Sequence, residues 1–436
     1  MKKLLLLIVL IALLIPQQSI AQEESPEEKA KRMHWFKDAK LGIFIHWGIY
    51  AVDGISESWS FHNGRISHED YMKQLDGFTA KNYDPEYWAG LIKKSGAKYA
   101  VITTKHHDGV ALWDTKENHY NVIDNTPAKQ DLIKPFVKAL RKEKLKVGLY
   151  YSLLDWSHPD YPNFTKKEKR YTDDSFRWEK FTRFNMNQLK EISKEFKPDL
   201  YWFDGDWEFS AEKWQATEIR KLLLSYNKKV VLNSRLQGYG DYATPEIGVP
   251  VYRPKDKYWE LCLTMNDSWG FQHNDTNYKT PNQLIRIFTD CIGMGGNLLL
   301  DIGPKADGTI PEEQVNILNE FGRWTKKHAV AIYESEGGIP KDCYMGASTL
   351  SADSTILYLF LDYAPKGPIV VKGLINKVNT AWVVGNGTAL NHKVMGKPYW
   401  SHKPGLLYID VPENTLDPQV TVIGLLLDGP VDIYTK

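Results

Sequence analysis

Cysteine is scarce in this sequence. The 436 residues include only three cysteines, Cys262, Cys291 and Cys343, and they lie far apart along the chain. So few and so widely spaced cysteines exclude the disulfide framework of a small secreted domain and the paired ligands of a zinc ribbon. We interpret them as core residues with room for one bridge at most, in a chain long enough to bury a large core.

The chain also lacks an excess of charge of either sign. Its 55 Lys and Arg residues balance 54 Asp and Glu residues. Removing residues 1–21, for the reason given next, takes away two lysines and no acid and leaves a net charge of about minus one. Polyanions attract proteins that carry a marked positive excess, so we expect neither nucleic acid nor an anionic membrane as a partner.

Long apolar runs are absent after the first segment of the chain. That segment has Lys2 and Lys3, an apolar stretch over residues 4–15, and small residues before Ala21. The stretch is shorter than the roughly 20 apolar residues that span a bilayer. We therefore predict that residues 1–21 are a cleaved signal peptide, rather than a membrane anchor, and that the mature protein is periplasmic or secreted.

Short apolar runs, in contrast, recur through the chain and alternate with amphipathic stretches up to about residue 330. The runs predict strands at residues 41–46, 99–103, 147–151, 200–204, 230–233, 259–264 and 297–302. The stretches predict helices at residues 85–95, 132–143, 176–196 and 311–327. Alternation of this kind is typical of parallel βα units, which close into a (β/α)8-like barrel.

The pattern changes after about residue 333 to short strands separated by turns. These strands are predicted at residues 355–361, 368–371, 405–410 and 419–427. No helix of convincing period follows, so a compact antiparallel β-sandwich is expected. We therefore predict an α/β fold with a catalytic barrel over residues 22–335 and a C-terminal β-sandwich over residues 336–436.

Reactive side chains follow the ends of the predicted barrel strands, where barrel enzymes carry their reacting groups. These residues are His46, His106, His107, Tyr150, Tyr151, Asp204 and Arg235. Reactive side chains of these types at five successive strand ends predict an active site, whereas a single one could be a structural residue. A metal site is disfavoured because His106 and His107 are adjacent and no cysteine is near, so we expect no metal and no cofactor.

Asp204 is the strongest candidate for a catalytic nucleophile. It ends a predicted strand, and Gly205 beside it lets the chain turn and leaves room for a substrate. A retaining glycosidase needs two carboxyl groups about 5 Å apart, one to attack and one to protonate the leaving oxygen. Asp206 and Glu208 lie beyond the strand end, where a solvated or loop-bracing role is expected.

Two glutamates compete for the second carboxyl. Glu246 lies in a turn-rich loop after the fifth strand, and Glu260 lies at the start of the sixth, where an ion pair inside the barrel is the alternative. The proton donor needs a raised pKa, which a loop that closes over the pocket can provide by desolvation. Spacing along the chain does not decide between them.

Six segments resemble glycoside hydrolase family 29, the α-L-fucosidases, and occur in the order that the family has them. They are residues 35–48 (WFKDAKLGIFIHWG), 103–109 (TTKHHDG), 148–152 (GLYYS), 202–205 (WFDG), 268–271 (SWGF) and 295–304 (GGNLLLDIGP). The resemblance covers nearly the whole mature chain. It implies an exo-acting retaining α-L-fucosidase that acts on fucosylated oligosaccharides or glycoconjugates.

The resemblance also implies a role for individual residues. Asp204 corresponds to the nucleophile, and Phe44 and Trp269 match positions that pack against the C5 methyl group of fucose. The residues predicted to hold the hydroxyls and line the pocket are His46, Trp59, His106, His107, Tyr151, Trp202 and Arg235. The loop ending in Glu246 resembles the acid/base loop of several bacterial members, whereas some animal relatives use the position of Glu260. We therefore predict Glu246 as the acid/base.

One departure from the family pattern concerns the residues before Trp59. Many members have a carboxylate directly before this tryptophan, but this chain has Ser58 there and Glu57 one residue earlier. A shift of one residue in an extended segment turns the side chain to the opposite face, so no sugar contact is expected from Glu57.

Two other functions remain as alternatives. A non-catalytic fucose-binding protein could retain the pocket, although a binding protein has no need of paired carboxyl groups. A metal-dependent barrel hydrolase is the other alternative, and it would lose its activity on chelation.

Overall fold

The computed structural model describes residues 24–117 and 119–434. The predicted signal peptide lies outside the described residues. Among the residues described, no helix is both long enough and apolar enough to cross a membrane.

Strands and helices alternate through the first three quarters of the described chain. The strands are β1 (Leu41–Ile45), β2 (Tyr99–Lys105), β3 (Lys146–Ser152), β4 (Leu200–Asp204), β5 (Val231–Leu232), β6 (Glu260–Thr264), β7 (Asn297–Ile302), β8 (Glu336–Gly337), β9 (Ser348–Leu350), β10 (Ile356–Leu361), β11 (Ile369–Val371), β12 (Val378–Val383), β13 (His392–Met395), β14 (Leu406–Ile409) and β15 (Thr421–Leu427). The α-helices are α1 (Pro26–Ala39), α2 (Trp59–His62), α3 (His68–Met72), α4 (Pro85–Lys94), α5 (Val122–Asn125), α6 (Ile133–Lys142), α7 (Ser175–Phe196), α8 (Ala211–Trp214), α9 (Ala216–Tyr226), α10 (Pro281–Gly293), α11 (Glu312–Lys327) and α12 (Ala329–Ile332).

The first seven strands form one parallel sheet in the order β5-β4-β3-β2-β1-β7-β6. Nearly all of their residues are buried, because helices cover the outer face and side chains fill the inside. All seven predicted strands are present, with ends within two residues of those predicted. The predicted barrel architecture is confirmed.

Residues 241–247, which we call the bridging segment, close the gap between β5 and β6. They form single parallel bridges, Asn233 with Tyr242, Ala243 with Trp259 and Glu246 with Cys262. Pro245 lies within the segment and has no N–H group to donate, which suits it to an irregular edge rather than a regular strand. The segment thereby completes the barrel and carries Glu246 to the side of β6.

The outer helices begin at side chains that cap their first N–H groups. Asp84 accepts hydrogen bonds from the backbone N–H of Glu86 and Tyr87 at the start of α4, whose first residue is Pro85. Thr280 and Gln283 form a reciprocal capping box at the start of α10. These caps fix where each helix starts after its loop, and so fix the path of the loops around the barrel mouth.

The C-terminal strands form two antiparallel sheets. The five-stranded sheet has the order β12-β15-β10-β9-β8, and the three-stranded sheet has the order β11-β14-β13. Leu357, Leu359 and Ile423 belong to the core between the sheets, whereas Phe360 and Val422 face the barrel core. The predicted sandwich is confirmed, while the domain boundary at residue 335 stays a prediction.

The five-stranded sheet contacts α11 through polar as well as apolar groups. The Trp324 indole N–H donates to the backbone oxygen of Val420 at 2.8 Å. Arg323 donates two hydrogen bonds to Asp417, at 3.0 and 2.8 Å, and Lys327 donates a third at 2.8 Å. These contacts join the sandwich to the barrel.

Candidate active site

A cavity of about 270 Å³ opens at the C-terminal ends of the barrel strands. Its lining residues are Phe44, His46, Glu57, Trp59, His106, Trp202, Asp204, Trp207, Arg235, Glu246 and Trp269. The sequence predicted all of these except Glu57 and Trp207. Larger clefts of about 530 and 1400 Å³ lie elsewhere, away from these strand ends. The small size and mixed lining suit a compact polar ligand with one apolar side.

Asp204 lies in the wall of this cavity at the end of β4. Its side chain is 12% exposed, and parallel pairing places it beside Ser152 of β3. The Tyr150 hydroxyl donates to Oδ2 at 3.0 Å, and Arg235 Nη1 donates to Oδ1 at 2.9 Å. Both oxygens are therefore oriented by donors, and the carboxyl group is presented to the cavity in a fixed direction.

Arg235 connects Asp204 to the second carboxyl group. While Nη1 donates to Asp204, Nη2 donates to Glu246 Oε2 at 2.5 Å. Burial alone would lower the pKa of Arg235, but the charges of Asp204 and Glu246 raise it above the usual value. The guanidinium also lies over the Trp202 ring, 4.5 Å from its centroid. One planar group thus holds both carboxyl groups at the mouth of the same cavity.

Glu260, the rival for the second carboxyl, lies behind the cavity wall. It is fully buried at the start of β6 and accepts hydrogen bonds from Tyr99, from Trp202 Nε1 at 3.1 Å and from Tyr242 at 3.4 Å. Burial raises its pKa from 4.5 to about 7. Its partners are neutral donors, so the alternative of an ion pair does not apply. The cavity is lined by its partner Trp202 and not by Glu260 itself. The geometry therefore favours Glu246 for chemistry on a bound ligand.

Three buried histidines surround the site, and each is held through its Nδ1 atom. The pairs are His46 with Asp301 Oδ1 at 2.7 Å, His106 with Ser58 Oγ at 2.6 Å and His107 with Ser152 Oγ at 2.6 Å. Burial lowers the pKa of all three, that of His107 to about 3. The rings are therefore neutral at neutral pH, with Nε2 left to interact with a ligand.

The tautomer of His107 follows from its partner. The Ser152 hydroxyl donates its only hydrogen to the backbone oxygen of Leu154 at 2.7 Å, so it accepts from His107 Nδ1. His107 Nε2 is consequently an acceptor, and it lies 3.7 Å from Asp204 Oδ2. Two acceptors at this separation suit a ligand hydroxyl that donates to one of them. His107 thus lies beside the cavity, next to the predicted nucleophile.

Tyr151 does not reach the cavity, and its predicted role in binding the sugar must be corrected. Its hydroxyl contacts Asn185 Oδ1 and Gln188 Oε1 of α7, each at 2.9 Å, outside the barrel. Neighbouring residues of a strand point to opposite faces, so only one of the two tyrosines can face inward. Tyr150 takes the inward position, which the sequence alone did not reveal.

Glu57 also differs from expectation, because it lies in the cavity wall. Residues 57 and 58 form a turn that leads into α2, so the argument from an extended segment does not apply. Glu57 accepts a hydrogen bond from the backbone N–H of Gly270 at 2.8 Å, and burial raises its pKa to about 7. Ser58, in turn, points to His106. Both residues of this turn therefore contribute to the site.

Trp207 is the second cavity residue that the sequence did not single out. It lies three residues after Asp204 in a short 3-10 helix, and 49% of it is exposed. Its neighbours Asp206 and Glu208 brace this turn: Asp206 accepts from the Gln237 backbone N–H at 2.7 Å. The only available signal was a tryptophan close to a reactive strand end.

Over the described ranges, no three His, Cys, Asp or Glu side chains are grouped so that they could hold a metal ion.

Comparison with known proteins gives a consistent result. The family model described as "Alpha-L-fucosidase" matches residues 9–330. The α-L-fucosidase of Dictyostelium discoideum is 31% identical over 336 residues, which cover 69% of this chain and 71% of that protein. Human tissue α-L-fucosidase is 32% identical over 329 residues, 69% of each chain.

Solved structures are similar over still more of the chain. The α-L-fucosidase isoenzyme 1 from Paenibacillus thiaminolyticus has a TM-score of 0.83 and 34% identity, and the match covers 92% of this chain and 99% of that one. An α-L-fucosidase from Bacteroides thetaiotaomicron, trapped as a covalent intermediate with 2-fluoro-fucosyl fluoride, has a TM-score of 0.80 and 28% identity over 92% and 96% of the two chains.

Proposed function

This chain belongs to the α-L-fucosidase family of glycoside hydrolases, and on that basis we propose that it releases terminal L-fucose from fucosylated glycans by a double displacement that retains anomeric configuration. The observation that carries the proposal is the pair of carboxyl groups, Asp204 and Glu246, that share the Arg235 guanidinium at the cavity mouth. Retaining enzymes need two carboxyl groups about 5–5.5 Å apart. Two carboxyl groups bound to one guanidinium are held close enough to act on the same anomeric carbon.

In the first step, an oxygen of Asp204 forms a bond to the anomeric carbon of fucose. The bond from that carbon to the leaving oxygen breaks, and Glu246 transfers its proton to that oxygen. The Arg235–Glu246 contact must open for this transfer, and the 37% exposure of the Glu246 side chain leaves it room to turn. The product is a covalent fucosyl–Asp204 ester.

In the second step, Glu246 removes a proton from water, whose oxygen attacks the same carbon while Asp204 leaves. Esterification has by then removed the negative charge of Asp204, so the whole charge of Arg235 is available to Glu246. The trapped covalent intermediate of the Bacteroides relative supports a covalent step of this kind.

The apolar side of the cavity supports fucose as the sugar. Phe44 lies between Trp202 and Trp269, with ring centroids 4.9 and 6.1 Å away. A dry aromatic wall suits the C5 methyl group, a preference worth about 1–3 kcal/mol over a hexose with a hydroxymethyl group. Beside this wall, Nε2 of His46, His106 and His107 suits the ring hydroxyls.

The nucleophile is tested by Asp204→Gly on an aryl α-L-fucoside with and without azide. We expect turnover to fall by several orders of magnitude and azide to restore part of it, giving β-L-fucosyl azide, because azide attacks the face that Asp204 occupied. Near wild-type turnover without azide would rule out Asp204. For the wild type, NMR should detect α-L-fucose as the first-formed anomer.

The acid/base is tested by Glu246→Ala and Glu260→Ala on substrates with good and poor leaving groups. Loss of the acid should spare the first step for a good leaving group, and azide should yield α-L-fucosyl azide from the ester. We expect this behaviour from Glu246→Ala only; if Glu260→Ala alone shows it, the assignment is wrong. L-Fucose binding with no hydrolysis by the wild type over a day would instead favour a non-catalytic binding protein.

Export is part of the proposal as well. The charged start, short apolar stretch and small residues of residues 1–21 support cleavage by a signal peptidase. N-terminal sequencing of the protein from its native host should give a mature chain that starts at Gln22, in a periplasmic or extracellular fraction. A full-length chain in the membrane fraction would contradict it.

A further inference from the structure

A second large cleft borders the N-terminal ends of the barrel strands. Its volume is about 1400 Å³, against about 270 Å³ for the candidate active site. One wall is α1, and the other is α9 with residues 228–229, just before β5. Lys146, the first residue of β3, lines it as well. Because the strands are parallel, this cleft lies at the opposite end of the barrel from Asp204.

This cleft, which we call the basic groove, is rich in positive charge. Eight of its sixteen lining residues are Lys or Arg, and two are Glu. Carboxylates bind three of the cations, Arg32, Lys146 and Arg220. Within residues 24–117 and 119–434, the other five form no ion pair: Lys29, Lys31, Lys221, Lys228 and Lys229. A local excess of positive charge therefore lies in a chain whose total charge is balanced.

A buried cluster of charges holds the two walls of the basic groove together. Arg32 of α1 donates to both carboxylate oxygens of Asp241, at 2.7 and 2.8 Å. Arg220 of α9 donates to the same carboxylate at 3.1 Å. The side chains of Arg32 and Asp241 are 4% and 0% exposed. The groove is therefore preformed, and a ligand does not have to order its walls on binding.

Interactions within the fold explain only part of this positive charge. Lys228 and Lys229 follow the C-terminal end of α9, where the helix dipole favours cations. Lys31 and Lys221 are exposed within α1 and α9, where the dipole gives a cation no such advantage. Like charges gathered in one groove repel each other, and an anionic ligand would relieve that repulsion.

Two aromatic residues offer the basic groove a second kind of contact. Trp35 is half-buried and Tyr239 is 39% exposed, and both line the groove. Flat aromatic faces suit the C–H faces of sugar rings, while lysine ammonium groups attract carboxylate or sulfate groups as point charges. A concave groove admits an extended chain, whereas a flat lipid surface would touch only its edges.

We propose that the basic groove binds an acidic polysaccharide, a chain of sugar rings that carry carboxylate or sulfate groups. This site goes beyond the proposed function, because it needs no fucose and performs no chemistry. A polymer held at the N-terminal ends of the strands leaves the cavity at their C-terminal ends open. The enzyme thus stays attached to a glycan network while its active site remains available.

The test measures binding of the protein to labelled dextran sulfate and alginate, with uncharged dextran for comparison. We expect both charged polymers to bind, dextran not to bind, and the affinity to fall steeply between about 0.05 and 0.5 M salt. The double variant Lys228→Glu/Lys229→Glu should bind at least about tenfold more weakly, because each cation of the groove adds to the attraction of a polyanion. Lys228→Arg/Lys229→Arg, which keeps the charge, should bind like the wild type.

The matched control is Lys393→Glu/Lys397→Glu, which makes the same change of charge at two exposed lysines of the sandwich. It should bind like the wild type, and equal weakening in both charge-reversal variants would overturn the proposal. So would a wild type that binds neither charged polymer, or one that prefers phosphatidylglycerol vesicles or single-stranded DNA to both.

Turnover of an aryl α-L-fucoside separates this proposal from the proposed function. It should be unchanged in every variant and in the presence of saturating dextran sulfate. Inhibition by the polymer would place it at the cavity mouth and overturn the proposal. A wild type that binds the acidic polymers through the groove but hydrolyses no fucoside would contradict the proposed function alone.

Discussion

The two adjacent tyrosines of β3 point to opposite faces of the strand, one into the candidate active site and one toward the surrounding helices. The Tyr150 hydroxyl donates to Asp204, whereas the Tyr151 hydroxyl contacts side chains of α7. A hydrogen bond to a charged group contributes about 1.5–3 kcal/mol, so we expect Tyr150→Phe to lower kcat/KM by about 10- to 100-fold. Tyr151→Phe should stay within about twofold in activity but lose about 1 kcal/mol of unfolding free energy. Equal kinetic effects would contradict the assigned directions of the two side chains.

Glu260 makes stability depend on pH in a direction opposite to that of most carboxyl groups. Its pKa rises from 4.5 in the unfolded chain to about 7 in the fold, so the folded state binds the extra proton between these values. The contribution of Glu260 to the free energy of unfolding is therefore largest at and below about pH 4.5, and it decreases as the pH rises to about 7.

Glu260→Gln should remove that part of the pH dependence, since glutamine resembles the protonated form. The measurement is the free energy of unfolding by urea at pH 5 and at pH 8. Between these values, we expect it to decrease in the wild type by up to about 3 kcal/mol more than in the variant. Glu57, Asp108 and Asp301, whose pKa values burial also raises, should contribute to the slope that remains. The exposed Glu168→Gln serves as the control, and an unchanged slope in Glu260→Gln would show that Glu260 is ionised in the fold.

At the scale of elements, the turn after β4 depends on a glycine for two separate reasons. Gly205 has a φ of +81°, and an added Cβ would lie 2.5 Å from Leu154 Cγ. Gly238 has a φ of +82° but no atom within 4 Å of such a Cβ. Alanine substitutions at these two glycines therefore separate the cost of a left-handed backbone from the cost of a steric clash with Leu154.

We expect Gly238→Ala to cost about 1–2 kcal/mol of stability from its left-handed backbone. Gly205→Ala should cost about 1–3 kcal/mol more, because the methyl group overpacks the turn. It should also lower kcat/KM at least tenfold by displacing Asp204 and Trp207, whereas Gly238→Ala should not. Thermal unfolding and kinetics on an aryl fucoside measure both effects, and equal stability losses would show that Leu154 yields to the methyl group.

The barrel strands could be predicted because strands buried on both faces are continuous apolar runs. β12 and β13 could not, since much of their surface is exposed and their sequences carry no such run. The same reasoning explains the site. Asp204 and His46 directly follow apolar runs, and His106 and His107 lie a few residues beyond one. The inward position of Tyr150, the turn at Glu57 and the exposure of Trp207 instead depend on loop conformations and strand faces that only tertiary packing determines.

At the scale of the whole molecule, Asp417 joins the sandwich to the barrel. Burial alone would raise the pKa of Asp417, but hydrogen bonds from Arg323 and Lys327 of α11 lower it below the usual value. A lowered pKa stabilises the fold at pH values above the pKa of aspartate in the unfolded chain, which is about 3.9. This stabilisation is lost as the pH falls below that value toward the lower pKa of the folded state. The contact should therefore strengthen the barrel–sandwich interface throughout the neutral range.

Asp417→Asn should lower the unfolding free energy by about 1–3 kcal/mol at pH 7, because it leaves two cations without their carboxylate. The difference from the wild type should shrink at pH 3. We expect one cooperative urea transition in both proteins, since Phe360 and Val422 of the sandwich belong to the barrel core. The exposed Asp173→Asn should match the wild type, and separate transitions for barrel and sandwich would contradict the shared core.

The bridging segment bears on how enzymes of this kind can diverge. A residue inserted into β3 or β4 would turn every later side chain to the other face, because both neighbours fix the register. The bridging segment makes only single bridges, so residues can be gained or lost there while the ladders on either side stay intact. A catalytic group on it, the role proposed for Glu246, can therefore change position while the strands that hold Asp204 keep their register.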